Sequence, residues 1–152
     1  MNDKYESPYF MKDIKDNEEY KKWLIRKAMS QFKRDKDFYE KHDTKFPYER
    51  IDYKEALHFA VINSGGLDYY TGKPLDWHLI SAWDNDRSME IGYKKKFNKL
   101  PVLEHVNRDD LSDKLEFVIC GWAVSDAKND LNINEFLELC QDVLSHSKNN
   151  EV

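Results

Sequence analysis

Residues 100–130, LPVLEHVNRDDLSDKLEFVICGWAVSDAKND, are the stretch of sequence that decides the fold. Two short apolar runs, 100–106 and 115–120, contain valine, isoleucine or phenylalanine and predict two strands. The polar residues 107–113 between them predict a turn. Residues 121–129 predict a short helix, so the order of elements is that of a ββα unit.

Two amphipathic helices are predicted on the N-terminal side of this unit. Between residues 18 and 36, apolar residues recur with a period near 3.6, which is typical of a helix with one buried face. Asp52 and Glu55 have the spacing of a capping box, so a second helix is predicted over 53–63. The Ser-Gly-Gly sequence of residues 64–66 is expected to end it.

Further elements are predicted between these helices and the ββα unit and after it. Residues 69–75, YYTGKPL, predict a strand, a tight turn and a returning strand, residues 75–83 an extended segment, and residues 89–97 a short helix. Asn132 and Glu135 are spaced to cap a final helix. The apolar side chains of that helix form one stripe: Ile133, Phe136, Leu137, Cys140, Val143 and Leu144.

Together these elements predict an α+β protein with a ββα core between an N-terminal helical annex and a C-terminal helix. The annex is expected over 18–64, the core over 68–130 and the C-terminal helix over 132–146. A flexible arm is expected over 1–17. A single domain over 18–146 suits the chain length of 152 residues.

The composition is that of a folded protein. Hydrophobic residues make up 40% and aromatic residues 14%, which argues against disorder although 35% of residues are charged. No apolar run approaches the ~18 residues of a membrane helix, and the polar N-terminus has no signal-peptide core. Cys120 and Cys140 lie in apolar stretches and are expected to be buried free thiols. Because no CxxC motif occurs, we expect no structural zinc, and we expect a cytoplasmic protein without membrane contact.

Basic residues are concentrated in two segments although the net charge is −5. Residues 21–36 contain seven Lys and Arg against one Asp, and residues 93–99 contain four Lys and no acid. Such segments favour contact with a phosphate backbone, and a solvated helix face is the alternative interpretation of each. The candidate nucleic-acid contacts are Lys22, Arg26, Lys33, Arg34, Lys94, Lys95 and Lys96.

Glu104 and His105 form the candidate catalytic pair. Phosphodiester hydrolysis needs a base that takes a proton from water, which suits an imidazole with its ordinary pKa near ~6.5. It also needs stabilisation of the leaving oxygen, which a divalent cation supplies. Adjacent residues on a strand point to opposite faces, so only a distorted strand end aims both groups at one reaction. A helix across the hairpin would supply a further ligand.

This stretch resembles the HNH endonuclease superfamily. Members of that superfamily carry an Asp-His pair on the first strand of a ββα-metal hairpin and Asn-x-x-Lys-x-Asp on the following helix. This chain has Glu104-His105 and, at 125–130, SDAKND in a similar layout. Residues 70–75, YTGKPL, look like the Tyr-Cys-Gly-x-x-Leu turn of the superfamily without its zinc cysteines. The likeness covers roughly residues 18–145 and extends to a group of uncharacterised bacterial HNH-like proteins.

The resemblance implies a ββα-metal, treble-clef-like core and a metal-dependent endonuclease that hydrolyses DNA phosphodiester bonds. His105 takes the position of the base that activates water, and Lys128 takes a catalytic position beside the phosphate. Glu104, together with Asp126 or with Ser125 through water, takes the position of the ligands to one Mg²⁺ or Mn²⁺ ion. DNA is the implied partner.

Two departures from the family pattern leave a second function open. Glu104 stands where the family has Asp, and its extra methylene moves the carboxylate by more than ~1 Å. Ser125 stands where the family has Asn and is a shorter ligand. The alternative is therefore a catalytically degenerate HNH-fold module that binds nucleic acid or a protein partner. A homo-oligomer or other assembly whose partner chain completes the site is a third interpretation.

Overall fold

The computed structural model describes residues 4–106 and 114–150. In chain order its helices and strands are α1 (Asn17–Lys41), α2 (Arg50–Ser64), β1 (Pro101–His105), β2 (Phe117–Gly121), α3 (Trp122–Lys128) and α4 (Ile133–Asn149). Short 3₁₀ helices lie at Tyr9–Met11, Trp77–Leu79, Asn85–Arg87 and Lys94–Phe97. The protein is therefore α+β, as predicted, and its antiparallel strands and α3 follow one another in the predicted order. The turn predicted at 107–113 lies outside the described residues.

Helix α1 begins close to its predicted start and runs past its predicted end. The Asp16 side chain caps the first turn by accepting a hydrogen bond from the Glu19 N–H at 2.8 Å. The helix continues beyond Lys36 to Lys41, because Tyr39 extends the buried face by another turn. The prediction thus ended α1 too early.

Helix α2 begins earlier than predicted. Glu49 and Asp52 form its capping pair, in which the Asp52 carboxylate accepts a hydrogen bond from the Glu49 N–H at 2.8 Å, so the predicted pair of Asp52 and Glu55 is wrong. The helix ends at the predicted place, where Gly65 adopts the left-handed conformation with φ of 61°.

Residues 67–75 form a compact turn in place of the predicted strand pair. A single isolated β-bridge joins the two ends of the turn. The buried Asp68 carboxylate organises it, because Oδ1 accepts hydrogen bonds from the Tyr70 and Thr71 N–H groups at 2.8 and 3.2 Å. Oδ2 accepts a further bond from the Gly121 N–H at 2.9 Å. Asp68 thereby ties this turn to the point where β2 gives way to α3.

The segment between this turn and β1 is mostly irregular. The extended segment predicted at 75–83 contains a 3₁₀ turn, and the helix predicted at 89–97 is reduced to the 3₁₀ helix Lys94–Phe97. Gly92 explains the shortening, since its φ of 79° is incompatible with a right-handed helix.

One hydrophobic core joins α1, α2 and the β2 strand. Its larger members are Tyr20, Trp23, Leu24, Tyr53, Leu57, Val61, Trp77, Ile80, Phe117 and Ile119. Within residues 4–16, where the sequence predicted a flexible arm, side chains pack on this core. Met11 is fully buried, and the Phe10 ring lies 5.1 Å from that of Trp77.

Helix α4 has the predicted cap, but its apolar stripe is largely uncovered. Asn132 Oδ1 accepts a hydrogen bond from the Glu135 N–H, and the Glu135 carboxylate accepts one from the Asn132 N–H. The helix continues to Asn149, beyond its predicted end at 146. Of its stripe only Phe136 is buried, against the ring of Tyr70. Among the described helices, none has the length and apolar composition to cross a membrane.

The two cysteines differ in environment. Cys120 is fully buried in β2, as predicted, whereas Cys140 is exposed. The prediction of a buried thiol is therefore wrong for Cys140, because apolar neighbours along a helix do not ensure that another element covers them.

Candidate functional site

Glu104 and His105, at the end of β1, turn to opposite sides of the sheet. Glu104 contacts α3, and His105 contacts α1, as expected for neighbours on a pleated strand. Both side chains nevertheless border one cavity of about 540 Å³. The end of the strand thus brings the two groups to one opening without aiming them in one direction.

On the α3 side, both carboxylate oxygens of Glu104 have partners. Ser125 Oγ donates a hydrogen bond to Glu104 Oε1 at 2.5 Å, and Lys128 Nζ lies 3.6 Å from Oε2. Ser125 and Lys128 are three residues apart and therefore share one face of α3. The side chains of Lys128 and Glu104 are only 11% and 16% exposed, so this contact is poorly screened by solvent.

Tyr70 also borders this cavity. Burial, and to a smaller extent the nearby Glu104 charge, raise the pKa of Tyr70 to about 12. At neutral pH the Tyr70 side chain is therefore an uncharged phenol that can donate a hydrogen bond to an anion.

On the α1 side, the His105 ring is held by a buried carboxylate. His105 Nε2 lies 3.1 Å from Asp35 Oδ2. The same oxygen accepts a hydrogen bond from the Tyr53 hydroxyl at 2.6 Å, and Oδ1 accepts one from Gln31 Nε2 at 2.9 Å. The ring of Phe117 packs against the imidazole with 4.8 Å between centroids. His105 Nδ1 is buried and has no hydrogen-bond partner within the described part of the chain.

The Asp35 carboxylate is ionised in this setting. Burial by itself raises the pKa of Asp35, but the hydrogen bonds that it accepts from His105, Tyr53 and Gln31 outweigh it. The net effect is a pKa below the ordinary value of 3.8. Asp35 is 2% exposed, so these partners replace nearly all of its contact with water.

Asp35, Tyr53 and Gln31 were not predicted from the sequence as parts of the site. A signal for Asp35 was present, since it lies seven residues after Ala28 and four before Tyr39, on the apolar face of α1. It is also the one acid within the basic segment 21–36. Tyr53 had no such signal, because a tyrosine on a buried helix face most simply fills a core.

Asp126 is placed away from the other predicted ligands. Its Oδ2 lies 3.0 Å from Lys94 Nζ on the surface, where both side chains are more than half exposed. The structure brings Glu104, His105, Ser125 and Lys128 to one cavity and leaves Asp126 outside it.

Of the basic residues predicted to contact nucleic acid, Arg34 borders the Glu104–His105 cavity. The Arg26 guanidinium donates to Ser81 Oγ at 2.8 Å, and Lys33 borders a separate cavity beside α1. All seven are exposed: Lys22, Arg26, Lys33, Arg34, Lys94, Lys95 and Lys96.

Burial lowers the pKa of the neighbouring Lys27, and the charges of Arg26 and Arg34 lower it further, so α1 carries a positive potential close to the site.

The oxygens of Glu104 and Ser125 are the donors that fit a divalent cation. Mg²⁺ takes one or two carboxylates and fills its remaining positions with water or phosphate oxygens. Over residues 4–106 and 114–150 there is no cluster of three His, Cys, Asp or Glu side chains suited to a metal. Glu104 and Ser125 could together offer two protein oxygens to one hard cation, with Lys128 as a neighbouring positive charge.

Comparison of the chain with protein-family models, with curated proteins and with solved structures finds no match to any of them.

Proposed function

We propose that the protein is an HNH-type endonuclease that hydrolyses DNA phosphodiester bonds in the cavity bordered by Glu104 and His105. One observation supports this most strongly: an imidazole with its own carboxylate partner and a carboxylate–hydroxyl pair border the same cavity. Lys128 and Arg34 add two positive charges for a phosphate at that opening. These are the groups that hydrolysis of a phosphodiester requires.

In this proposal each side chain has one task. His105 takes the proton from the attacking water. Lys128 and Arg34 contact the non-bridging oxygens of the scissile phosphate, and the Tyr70 phenol donates a hydrogen bond to it. The exposed basic residues of α1 hold the flanking backbone.

Glu104 and Ser125 would hold one Mg²⁺ or Mn²⁺ ion. When bound, that ion would supply Lewis-acid stabilisation of the leaving oxygen. A cytoplasmic location, where the chain would meet DNA, is part of this proposal.

Nicking of a supercoiled plasmid with Mg²⁺ or Mn²⁺ tests the proposal. We expect His105→Ala and Glu104→Gln each to lose about 100-fold or more in rate, which is typical for loss of an acid–base or charge-stabilising group. His78→Ala is the matched control, because His78 is exposed and does not border the cavity. Equal nicking by the unmodified protein, His105→Ala and Glu104→Gln would falsify the assignment.

A second candidate function is supported by the contact between Lys128 and Glu104. The ammonium stands beside the carboxylate where an active member of the family would need a cation, and Asp126 is engaged with Lys94. In this interpretation the fold has lost catalysis and binds nucleic acid or a protein partner through the same basic surface.

Metal titration separates the two candidates. The degenerate module is expected to show no thermal shift with millimolar Mg²⁺ or Mn²⁺. The double variant Glu104→Asp, Ser125→Asn, which restores the family residues, is then expected to gain metal binding. Tight metal binding by the unmodified protein would exclude the degenerate module and support the nuclease.

A further inference from the structure

We propose that Asp35 of α1 is a positioning residue that holds the proton on His105 Nε2 and leaves Nδ1 as the nitrogen that accepts a proton from water. The role of Nδ1 as a base rests on the proposed nuclease function. The hydrogen bond between His105 and Asp35 is independent of that function and can be tested without it.

The partners of Asp35 decide which imidazole nitrogen carries the proton. Gln31 Nε2 and the Tyr53 hydroxyl both donate to this carboxylate, which is an acceptor-only group when ionised. Nε2 of His105, 3.1 Å from Oδ2, must therefore donate as well. In a neutral ring the proton then resides on Nε2 and the lone pair on Nδ1.

The environment of Nδ1 agrees with a lone pair on this nitrogen. This atom is buried and has no hydrogen-bond partner among the described residues. A proton on Nδ1 would leave a buried N–H donor without an acceptor among the described residues, which is unfavourable. An unprotonated Nδ1 is the more favourable state, and a water molecule at this edge of the ring would donate a hydrogen bond to its lone pair.

The ring is also fixed in orientation, which a general base requires. The Asp35 carboxylate is anchored by α1 and α2, because its two further donors come from Gln31 and Tyr53. Phe117 of β2 packs against the ring itself. A catalytic group must be held within about 0.5 Å of its productive position, and this arrangement supplies such support from three elements. Because Nδ1 has no contact with solvent, its neighbours must shift before a water molecule reaches it.

Nitrogen-15 NMR of the histidine side chains tests the hydrogen bond without any need for activity. The His105 signals are identified by their loss in His105→Gln. We expect an Nε2-bound proton that resonates far downfield and exchanges slowly with water, and an Nδ1 shift typical of an unprotonated nitrogen. In Asp35→Asn that proton is expected to move upfield and exchange faster, because a neutral amide accepts more weakly than a carboxylate. A proton on Nδ1, or an Nε2 proton unchanged in Asp35→Asn, would overturn the proposal.

Plasmid nicking by the same variant tests the positioning role. Asp35→Asn is expected to lower kcat about 100-fold, the usual scale of acid–base catalysis, with KM nearly unchanged. Asp37→Asn is the matched control, because Asp37 is an exposed carboxylate two residues further along the same helix. A kcat equal to that of the unmodified protein would refute the role.

The two measurements separate the possible failures. If the unmodified protein does not nick DNA but its Nε2 proton behaves as expected, the proposed function fails and the hydrogen-bonded positioning stands. If Asp35→Asn does not fold, the spectrum of the unmodified protein still decides which nitrogen carries the proton.

Discussion

Lys128 and Glu104 form an ion pair between α3 and β1, with 3.6 Å from Nζ to Oε2 and both side chains mostly buried. The ammonium stabilises this mostly buried carboxylate. A divalent ion at Glu104 would have to tolerate this like charge a few ångströms away. In the proposed function the pair therefore sets the balance between stability of the fold and affinity for metal.

Removing the ammonium is expected to strengthen metal binding and weaken the fold. Two like charges about 4 Å apart repel by about 4 kcal/mol at a protein-like dielectric. Allowing for screening by solvent, we expect Lys128→Met to bind Mn²⁺ about tenfold more tightly by isothermal titration. Its free energy of unfolding in urea is expected to fall by about 3 kcal/mol, since a mostly buried carboxylate loses its partner.

Lys94→Met is the control for this prediction. Lys94 pairs with Asp126 on the surface, where exposed ion pairs contribute little. Neither Mn²⁺ affinity nor stability should change appreciably. Unchanged or weaker Mn²⁺ binding by Lys128→Met would show that the ammonium does not compete with metal at Glu104.

Loss of the Asp68 carboxylate is expected to destabilise the protein by about 2–3 kcal/mol, because three backbone N–H groups would lose their acceptor. Asp68→Ala tests this by urea denaturation, with the exposed Asp86→Ala as its control. Gly121→Ala should weaken the same link, since a Cβ there would lie 2.9 Å from the Asn98 carbonyl oxygen and 3.1 Å from Asp68 Oδ2. Stability equal to that of Asp86→Ala would mean that the turn holds without Asp68.

The two thiols are expected to differ in reactivity. Burial raises the pKa of Cys120, and the charges of Glu104 and Asp68 raise it further, so its thiolate is scarce at neutral pH. Cys140 is exposed. A maleimide should therefore label one site in the folded protein, and mass spectrometry should locate it at Cys140. Cys140→Ser should abolish native labelling, and rapid labelling of that variant would contradict the burial of Cys120.

Acid is expected to remove the stabilising contribution of Asp35. The pKa of this carboxylate is held below 3.8 in the folded protein, so its ionised form favours folding above that value. The contribution is fully present near neutral pH and is lost as the pH falls through the folded pKa. We expect the difference in unfolding free energy between the unmodified protein and Asp35→Asn to be about 3 kcal/mol near neutral pH. It should shrink below about pH 4. A difference that stays constant down to pH 3 would contradict an ionised Asp35.

Features with local sequence signals were predictable. The caps at Asn132 and Gly65 depend on residues within one turn of the helix end, and the structure confirms both. The two strands followed from apolar runs, and their order with α3 is the predicted one. A predicted helix was wrong where one residue interrupts the helical pattern, as Gly92 does in the helix predicted at 89–97.

Features that join distant parts of the chain were not predictable from pattern. Asp68 and Gly121 are 53 residues apart, and the contact between His105 and Asp35 joins β1 to α1. Periodicity shows that Asp35 lies on the buried face of its helix, but it does not show which strand end that face meets. Likewise, the spacing of Ser125 and Lys128 predicts a shared face, and only the packing of α3 on β1 reveals that both meet Glu104.

The anchoring of His105 by α1 and α2 also limits how the protein can be cut or transplanted. A fragment that starts at residue 66 would keep both strands and α3, and with them Glu104, Ser125 and Lys128. It would discard Gln31, Asp35 and Tyr53, so its histidine would be present in sequence yet without an anchor. The smallest transferable unit is thus larger than the strand–strand–helix motif. A graft of only that motif onto another scaffold would transfer the Glu104 side of the site without the residues that hold His105.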